Sequence, residues 1–171
     1  MQDPDKNRRI VSRLMSYGFW VLLLATLTVF FKDKLATRYN PNQDLANTSA
    51  HSQQEVSLQR NAYGHYVAPG TLNNTPAIFM LDTGATTISI PKAVADSMSL
   101  TPTGYSTVST ANGSIRVARV VLDTVSLGGI TLHKIPAHIN PYMEGKTVLL
   151  GMSFLGHLEM VQRGNTLTLR Q

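Results

Sequence analysis

The chain has 171 residues, which is enough for one ordinary domain but too few for an enzyme built from two duplicated lobes. Its net charge is +5, but residues 1–38 hold seven basic and three acidic residues and so account for +4. The remaining chain lacks the basic excess that a nucleic-acid-binding surface needs, and nucleic acid is excluded as a partner. The absence of cysteine excludes disulfides, thiol catalysis and cysteine metal sites.

An apolar run without charge occupies residues 14–31, which is close to the length that a helix needs to cross a bilayer. We predict a basic tail over residues 1–13 and a transmembrane helix, in contact with lipid, over residues 14–31. A cleaved signal peptide and a buried core helix are the alternatives. The run exceeds the apolar core of a signal peptide, charged residues 32–34 stand where a cleavage site would lie, and the run lacks the polar face of a core helix. Aromatic residues stand near its two ends, where interfacial anchors are expected: Tyr17, Phe19 and Trp20 at one end, and Phe30 and Phe31 at the other.

The charges beside the apolar run give a weak prediction of topology. Four basic residues precede it and three follow it, and a short N-terminal tail is more easily kept inside the cell. We therefore predict a single-pass protein of the bacterial inner membrane with its C-terminal domain in the periplasm. Residues 39–57 are rich in Asn, Gln and Ser, so residues 32–57 are predicted to be a flexible tether and the domain to occupy residues 58–171.

The C-terminal part of the chain has the composition and spacing of a β-rich domain. Glycine- and asparagine-containing pairs separate β-prone runs, which predicts hairpins and an all-β fold. Only two short helices are expected, one starting at Pro91 and one after Gly151. The predicted hairpin turns are Asn73-Asn74, Asn112-Gly113, Gly128-Gly129 and Gly164-Asn165.

The strongest candidate for chemistry is Asp82, which ends an apolar strand in the segment AIFMLDTGATTISIP. An ionised carboxylate in this position is costly unless backbone donors or a partner hold it. Asp, Thr and Gly are also ordinary turn residues, so Asp82-Thr83-Gly84 alone is a moderate signal. A later apolar segment, Leu149-Leu150-Gly151, followed by a short helical run, strengthens it.

Together these segments resemble the retropepsin family of aspartic proteases. From Tyr63 onward the chain is similar to the bacterial membrane-anchored retropepsin-like proteases in YVAPGTLNN, MLDTGATTISIP, STVSTANG and VLLGMSFL. The resemblance implies a closed barrel with one lobe per chain that is active as a homodimer. It also implies that Asp82 is catalytic and that no cofactor and no metal is needed.

The chemistry of the residues agrees with this resemblance. Peptide hydrolysis without metal, thiol or activated serine needs a water, a base that deprotonates it and an acid that protonates the carbonyl oxygen and the leaving amine. Two carboxylates about 3 Å apart share one proton and serve both roles. Asp-Thr-Gly occurs once in the chain, so a symmetry mate must supply the second carboxylate.

The resemblance also assigns roles around Asp82. Thr83 would brace the two active-site loops across the dimer axis, and Gly84 would let the substrate backbone approach closely. Ala85 follows the retroviral pattern, in which one hydrogen bond to the carboxylate is missing, so the pH optimum is predicted to be less acidic than that of pepsin. Retroviral relatives have an acidic residue at the next position, where Thr86 stands here, so the substrate contacts around Thr86 are left open.

The segment STVSTANGSIRV resembles the flap that closes over a bound peptide, with a plain surface hairpin as the alternative. Asn112-Gly113 would form its turn and Ala111 would lie near its tip. The predicted contacts to substrate are Thr86 and the flap residues Thr110, Ala111, Asn112 and Gly113.

Rival motifs fail on spacing or order. Gly151-Met152-Ser153 approaches the serine-hydrolase elbow, but the closing glycine comes one position late, at Gly156, and no histidine follows Glu159. Gly145-Lys146-Thr147 lacks the first glycine of a phosphate-binding loop. The five histidines lack metal-ligand spacing and are expected to have surface or structural roles, and Asp123 is expected to end a strand.

The sequence therefore predicts an aspartic endopeptidase that cleaves extended segments, with exposed parts of envelope or membrane proteins as substrates. Residues 39–57 are a further candidate target, for cleavage by the enzyme itself. A non-catalytic dimer that binds peptides in the same groove, or a scaffold domain in a membrane complex, remain as alternatives.

Overall fold

The structure of the chain is a computed structural model that describes residues 4–45, 55–110 and 113–171. It divides into two units, with the boundary after Arg38. Helix α1 spans Pro4–Tyr39, so the helix extends well beyond the predicted residues 14–31. One stretch of it, Val11–Tyr39, is long and apolar enough to cross a membrane.

The apolar part of α1 has no buried face, which contradicts the alternative of a soluble core helix. Its two polar side chains near the middle are satisfied within the helix itself. Thr26 Oγ1 donates to the Leu22 carbonyl at 2.9 Å and Thr28 Oγ1 donates to the Leu24 carbonyl at 2.7 Å. These bonds satisfy the donors of both hydroxyl groups within the helix.

Residues 40–45 differ from the predicted flexible tether. Asn40, Asn42 and Leu45 are buried in the second unit, and Leu45 joins its hydrophobic core. The ordered domain therefore includes residues well before the predicted start at residue 58, and its first strand begins at Glu55. The polar composition was misleading here because two of the asparagines are buried and hydrogen-bonded rather than solvated. The rest of the predicted tether, residues 46–54, lies outside the described residues.

The second unit consists almost entirely of strands, which confirms the all-β prediction. Its two short helices, α2 and α3, begin directly after Pro91 and Gly151, as predicted, and span Lys92–Ser97 and Met152–Leu155. The strands are β1 Glu55–Gln59, β2 Val67–Leu72, β3 Thr75–Leu81, β4 Ile88–Pro91, β5 Gly104–Thr110, β6 Gly113–Leu127, β7 Ile130–Asn140, β8 Thr147–Leu150, β9 Glu159–Arg163 and β10 Thr166–Arg170.

Seven strands form a barrel in the order β2-β3-β8-β4-β7-β6-β5. The long strand β6 pairs with β7 and, through its last residues, also with β2, so the sheet closes on itself. Strand β5 pairs with the first half of β6 and extends the barrel as a hairpin. A separate three-stranded sheet has the order β1-β10-β9. The core is mostly aliphatic but contains two phenylalanines. Its largest fully buried side chains include Phe79, Phe154, Leu58, Leu72, Ile88 and Leu122.

The hairpin connections lie where the sequence places turns, with one difference at the predicted flap. Asn73 and Asn74 adopt φ values of +46° and +65°, which asparagine tolerates and a two-residue hairpin turn requires. In the β5–β6 hairpin, Gly113 pairs with Thr110, so Gly113 belongs to the ladder rather than to the turn. The connection comprises residues 111–112, which lie outside the described residues.

Asp123 was predicted to end a strand but lies inside β6. It forms an exposed ion pair with Lys134 on β7, and the hydrogen bond and positive charge of Lys134 lower the pKa of the Asp123 carboxyl group. Lys134 has a φ of +55°, so the ladder is irregular at this point. In the sequence, the charged residue at this position interrupts the alternation of apolar residues. The position was therefore mistaken for the end of a strand.

Candidate active site

Asp82 follows strand β3 directly and lies half-buried at the start of a tight loop. Its amide N–H donates to the Leu150 carbonyl at 3.1 Å, which continues the parallel pairing of β3 with β8. The amide of Gly84 donates to Asp82 Oδ1 at 2.9 Å, and the amide of Ala85 donates to the Asp82 carbonyl at 3.2 Å. One backbone donor, the Gly84 amide, thus holds the carboxylate, and the other two bonds fix the main chain of the loop.

Gly151 lets the two characteristic segments pack against each other. A Cβ atom at this position would lie 2.3 Å from the Thr87 carbonyl oxygen and 2.6 Å from the Ala85 carbonyl oxygen, so only glycine fits. Directly after it, the amide of Met152 donates to the Ala85 carbonyl at 2.8 Å, and that of Ser153 donates to the Thr86 carbonyl at 2.9 Å. The start of α3 therefore fixes the backbone of the loop that carries Asp82.

The hydroxyl group of Ser153 holds two chain segments together, and its partners among the described residues are not of the kind that a nucleophile needs. Its Oγ accepts a hydrogen bond from the Ile88 amide at 3.1 Å and donates to the Pro136 carbonyl at 2.9 Å. A serine nucleophile needs an adjacent base, whereas both contacts here are to backbone groups. The serine-hydrolase alternative is therefore unsupported, and Ser153 links the start of β4 to β7.

A groove of about 790 Å³ runs past Asp82. Its floor includes the loop after β3, and one wall comes from the β5–β6 hairpin that the sequence predicts to be a flap. Hydroxyl groups and aliphatic side chains dominate the lining. The lining residues are Asp82, Gly84, Ala85, Thr86, Thr87, Ser89, Val108, Ser109, Thr110, Val117, His138, Asn140 and Leu149.

Residues 68–157, more than half of the chain, match the family model described as "gag-polyprotein putative aspartyl protease". The chain belongs to this aspartyl protease family. The match contains both the loop after β3 and the Leu149-Leu150-Gly151 segment, so the motif on which the sequence argument depended is part of the matched region.

Two similar proteins extend the comparison. The crystal structure of a retropepsin-like aspartic protease from Rickettsia conorii has 30% identity and a TM-score of 0.57, and the match covers 67% of this chain and 89% of that one. An uncharacterised Sinorhizobium protein from the cobV 5′ region is 35% identical over 162 residues, covering 89% of this chain and 70% of that protein. The second match is longer than Tyr39–Gln171 and thus includes part of helix α1. The fold is therefore retropepsin-like.

Within this retropepsin-like fold, the structure brings most of the predicted site residues to one groove. Asp82, Gly84, Ala85, Thr86 and Thr110 line it. Thr83 is exposed beside them, and Gly113 lies opposite Thr110, whose hydroxyl donates to the Gly113 carbonyl at 2.8 Å. The predicted flap residues Ala111 and Asn112 lie outside the described residues.

The sequence argument missed His138, which lines the groove of this retropepsin-like domain. Its Nδ1 lies 2.9 Å from Thr87 Oγ1, and its Nε2 lies 3.4 Å from Ser106 Oγ. Desolvation, and to a lesser extent the charge of Arg119, lower the pKa of the imidazole. The alternation of β7 was an available signal: Ala137 and Ile139 are buried, so His138 and Asn140 face the other side of the strand.

Proposed function

We propose that this protein is an aspartic endopeptidase that hydrolyses peptide bonds through a water molecule activated between the two Asp82 side chains of a homodimer. The observation that supports it best is the position of Asp82, which lies in a groove with one carboxylate oxygen held by the Gly84 amide. Membership of the aspartyl protease family supports the same class of reaction.

The proposed mechanism needs one ionised and one protonated Asp82 carboxyl group. At about 3 Å apart the two Asp82 side chains share one proton, because two negative charges at that distance repel each other strongly. The ionised carboxylate removes a proton from the water as the water oxygen bonds to the peptide carbonyl carbon, and the protonated carboxylate donates its proton to the carbonyl oxygen. The proton taken from the water then passes to the leaving amine as the C–N bond breaks, while one hydroxyl of the tetrahedral intermediate returns its proton to the other carboxylate. The substrate separates into two peptides, and the dyad again holds one proton.

The homodimer follows from the number of carboxylates and is supported by two exposed features. Thr83 is exposed next to Asp82, where it is available to contact the same residue of a second chain across a two-fold axis. Strand β9 lies at the end of its sheet, so within the described residues one of its edges is unpaired. Confinement to a membrane would raise the effective concentration of chains and favour their association.

An extended peptide is the substrate that best fits the groove. Thr86 and Thr110 approach it from the loop and from the flap, and the short side chains of Gly84 and Ala85 leave room for substrate backbone. We propose that Thr83 braces the two active-site loops. The flap residues Ala111, Asn112 and Gly113 would cover the bound peptide. The long apolar helix favours substrates at a membrane, such as exposed segments of envelope or membrane proteins.

The same helix supports a single-pass membrane location. Its apolar stretch Val11–Tyr39 is long enough to cross a bilayer with some tilt. We place the protein in a bacterial inner membrane with the β-domain in the periplasm, because four basic residues precede the apolar run and three follow it. Fusion of a reporter that is active only in the periplasm to Gln171 tests this orientation.

The decisive experiment compares the full-length chain with its Asp82→Asn variant in detergent on a mixture of unstructured peptides, with and without pepstatin. We expect products from the wild type alone and their loss with pepstatin. Asp96→Asn is the matched control, because Asp96 is an exposed residue of α2 outside the groove. Identical products from wild type and Asp82→Asn would end the protease proposal, and peptide binding without cleavage would favour a peptide-binding module instead.

A further inference from the structure

His138 connects the loop after β3 to the flap hairpin. Its ring lies on β7 with Nδ1 at 2.9 Å from Thr87 Oγ1, a normal hydrogen-bond length that fixes the orientation of the ring. The Nε2 contact to Ser106 Oγ on β5 is much longer, at 3.4 Å. A contact of that length is weak and is readily exchanged for a better partner. The Nε2 side of the ring is therefore available to a ligand in the groove.

The charges around His138 are few and can all be named. Asp82 and His138 are the ionisable residues among the described residues that line the groove. Strand β6 places Arg119 opposite His138, β4 places Ser89 beside it, and β5 contributes Ser106. When His138 is protonated, it adds one positive charge to the groove lining, in which Asp82 is the one carboxylate among the described residues. Arg119 is exposed and lies outside that lining.

The lining apart from Asp82 and His138 is uncharged, which makes the positive charge of His138 selective. The other groove residues offer hydroxyl, amide and aliphatic groups, which bind many side chains with similar strength. A substrate carboxylate gains a charge-assisted hydrogen bond from the imidazolium Nε2–H, whereas the isosteric amide of glutamine gains a neutral one. Partial burial strengthens the difference, because the charges are less screened than in water.

We propose that His138 is a specificity-determining residue, whose imidazolium form binds an acidic side chain of the substrate in the subsite between Thr87 and Ser106. The inference rests on the proposed peptidase function. The preference for an acidic residue appears only where the substrate carboxyl is ionised and the imidazole is protonated. For a glutamate this requires a pH above about 4.3 and below the pKa of His138 in the complex. The bound carboxylate raises that pKa, since it stabilises the imidazolium.

The test uses pairs of peptides that differ only by Glu or Gln at one position, moved stepwise along a cleaved sequence. For the full-length chain in detergent, kcat/KM is measured for each pair from pH 5 to pH 8. We expect one position at which the Glu/Gln ratio rises by about tenfold as the pH falls. In His138→Gln the ratio should stay flat. His133→Gln is the matched control, because His133 is an exposed residue of the same strand outside the groove.

A second measurement separates this inference from the protease proposal. Binding of the same peptide pairs to the Asp82→Asn chain, followed by fluorescence anisotropy, reports the preference without cleavage. If Asp82→Asn prefers Glu at low pH while the wild type cleaves nothing, the subsite stands and the protease proposal fails. Cleavage with no pH-dependent preference at any position, or an unchanged preference in His138→Gln, overturns the subsite.

The wild-type ratio also covers the case in which a variant does not fold. If His138→Gln is unfolded, the wild-type ratio alone decides, since a flat ratio between pH 5 and pH 8 contradicts the inference. Ser106→Ala then serves as the second variant, because it removes the weak competing contact and should increase the preference for Glu. A decrease in that variant would also count against the inference. Absence of binding by any peptide, together with absence of cleavage by the wild type, would overturn both proposals.

Discussion

Truncation of the Asn42 side chain should destabilise the β-domain strongly. Its side chain is buried, and Nδ2 donates to the Val67 carbonyl at 2.7 Å and to the Gln59 carbonyl at 3.0 Å. Its Oδ1 accepts from the Gln59 amide at 2.6 Å. One amide side chain therefore joins the segment after α1 to both β1 and β2.

Asn42→Ala leaves three backbone groups without their partner. Each of these hydrogen bonds contributes about 1 kcal/mol, and a buried group left unpaired costs at least as much, so we expect a loss of about 3 kcal/mol. That is a large part of the roughly 5–15 kcal/mol that stabilises an ordinary domain. With a urea dependence of about 2 kcal/mol per M, the unfolding midpoint should fall by about 1.5 M.

The assay is urea unfolding of the full-length chain in detergent, followed by the near-ultraviolet circular dichroism of the domain tyrosines. Asn165→Ala is the matched control, because Asn165 is exposed in the β9–β10 turn. The urea unfolding midpoint of this variant should differ little from that of the wild type. Amide exchange adds a local readout, because protection at Gln59 should fall in Asn42→Ala. Equal midpoints for the two variants would refute the view that residues 40–45 belong to the folded domain.

Two further variants test the site and its surroundings. Gly151→Ala should lower the free energy of unfolding by about 3 kcal/mol or more and abolish peptide hydrolysis, because the added Cβ meets backbone oxygens. Gly145→Ala is the control: its Cβ enters open space, and its positive φ should cost only about 1 kcal/mol. Equal losses of stability in the two variants would contradict the argument. The fold holds the pKa of His138 below its ordinary value of 6.5, so the unfolded chain binds a proton more readily than the folded one. The free energy of unfolding should therefore decrease as the pH falls below about 6.5 and level off once His138 protonates in the folded state. The urea midpoint should therefore drop less in His138→Gln between pH 8 and pH 5.5, and an equal drop would contradict it.

Local sequence signals predicted the parts of the fold that depend on neighbouring residues. The turn at Asn73 and Asn74 follows from their tolerance of positive φ, and the helix starts follow from Pro91 and Gly151. The loop at Asp82 was predictable because an apolar strand, a carboxylate and a glycine stand next to one another in the chain. In each case the physical cause lies within a few residues.

The features that the sequence did not predict depend on contacts between distant residues. The buried Asn42 bonds to residues 17 and 25 positions away, so its composition-based assignment to a tether was misleading. Ser153 bonds to Ile88 and Pro136, and His138 bonds to Thr87, which is 51 positions away. No short window contains both members of such a pair.

The backbone bonds around Asp82 bear on how the proposed dimer assembles. The loop is held inside one chain by the Leu150 carbonyl and by the amides of Met152 and Ser153, none of which needs a second copy. The Gly84 amide orients the carboxylate in the same way. A second chain therefore meets a loop that is already ordered, so association does not have to offset the entropy of ordering it. A small and reversible interface would then be enough to complete the proposed site, and the proposed membrane anchor would raise the local concentration of chains.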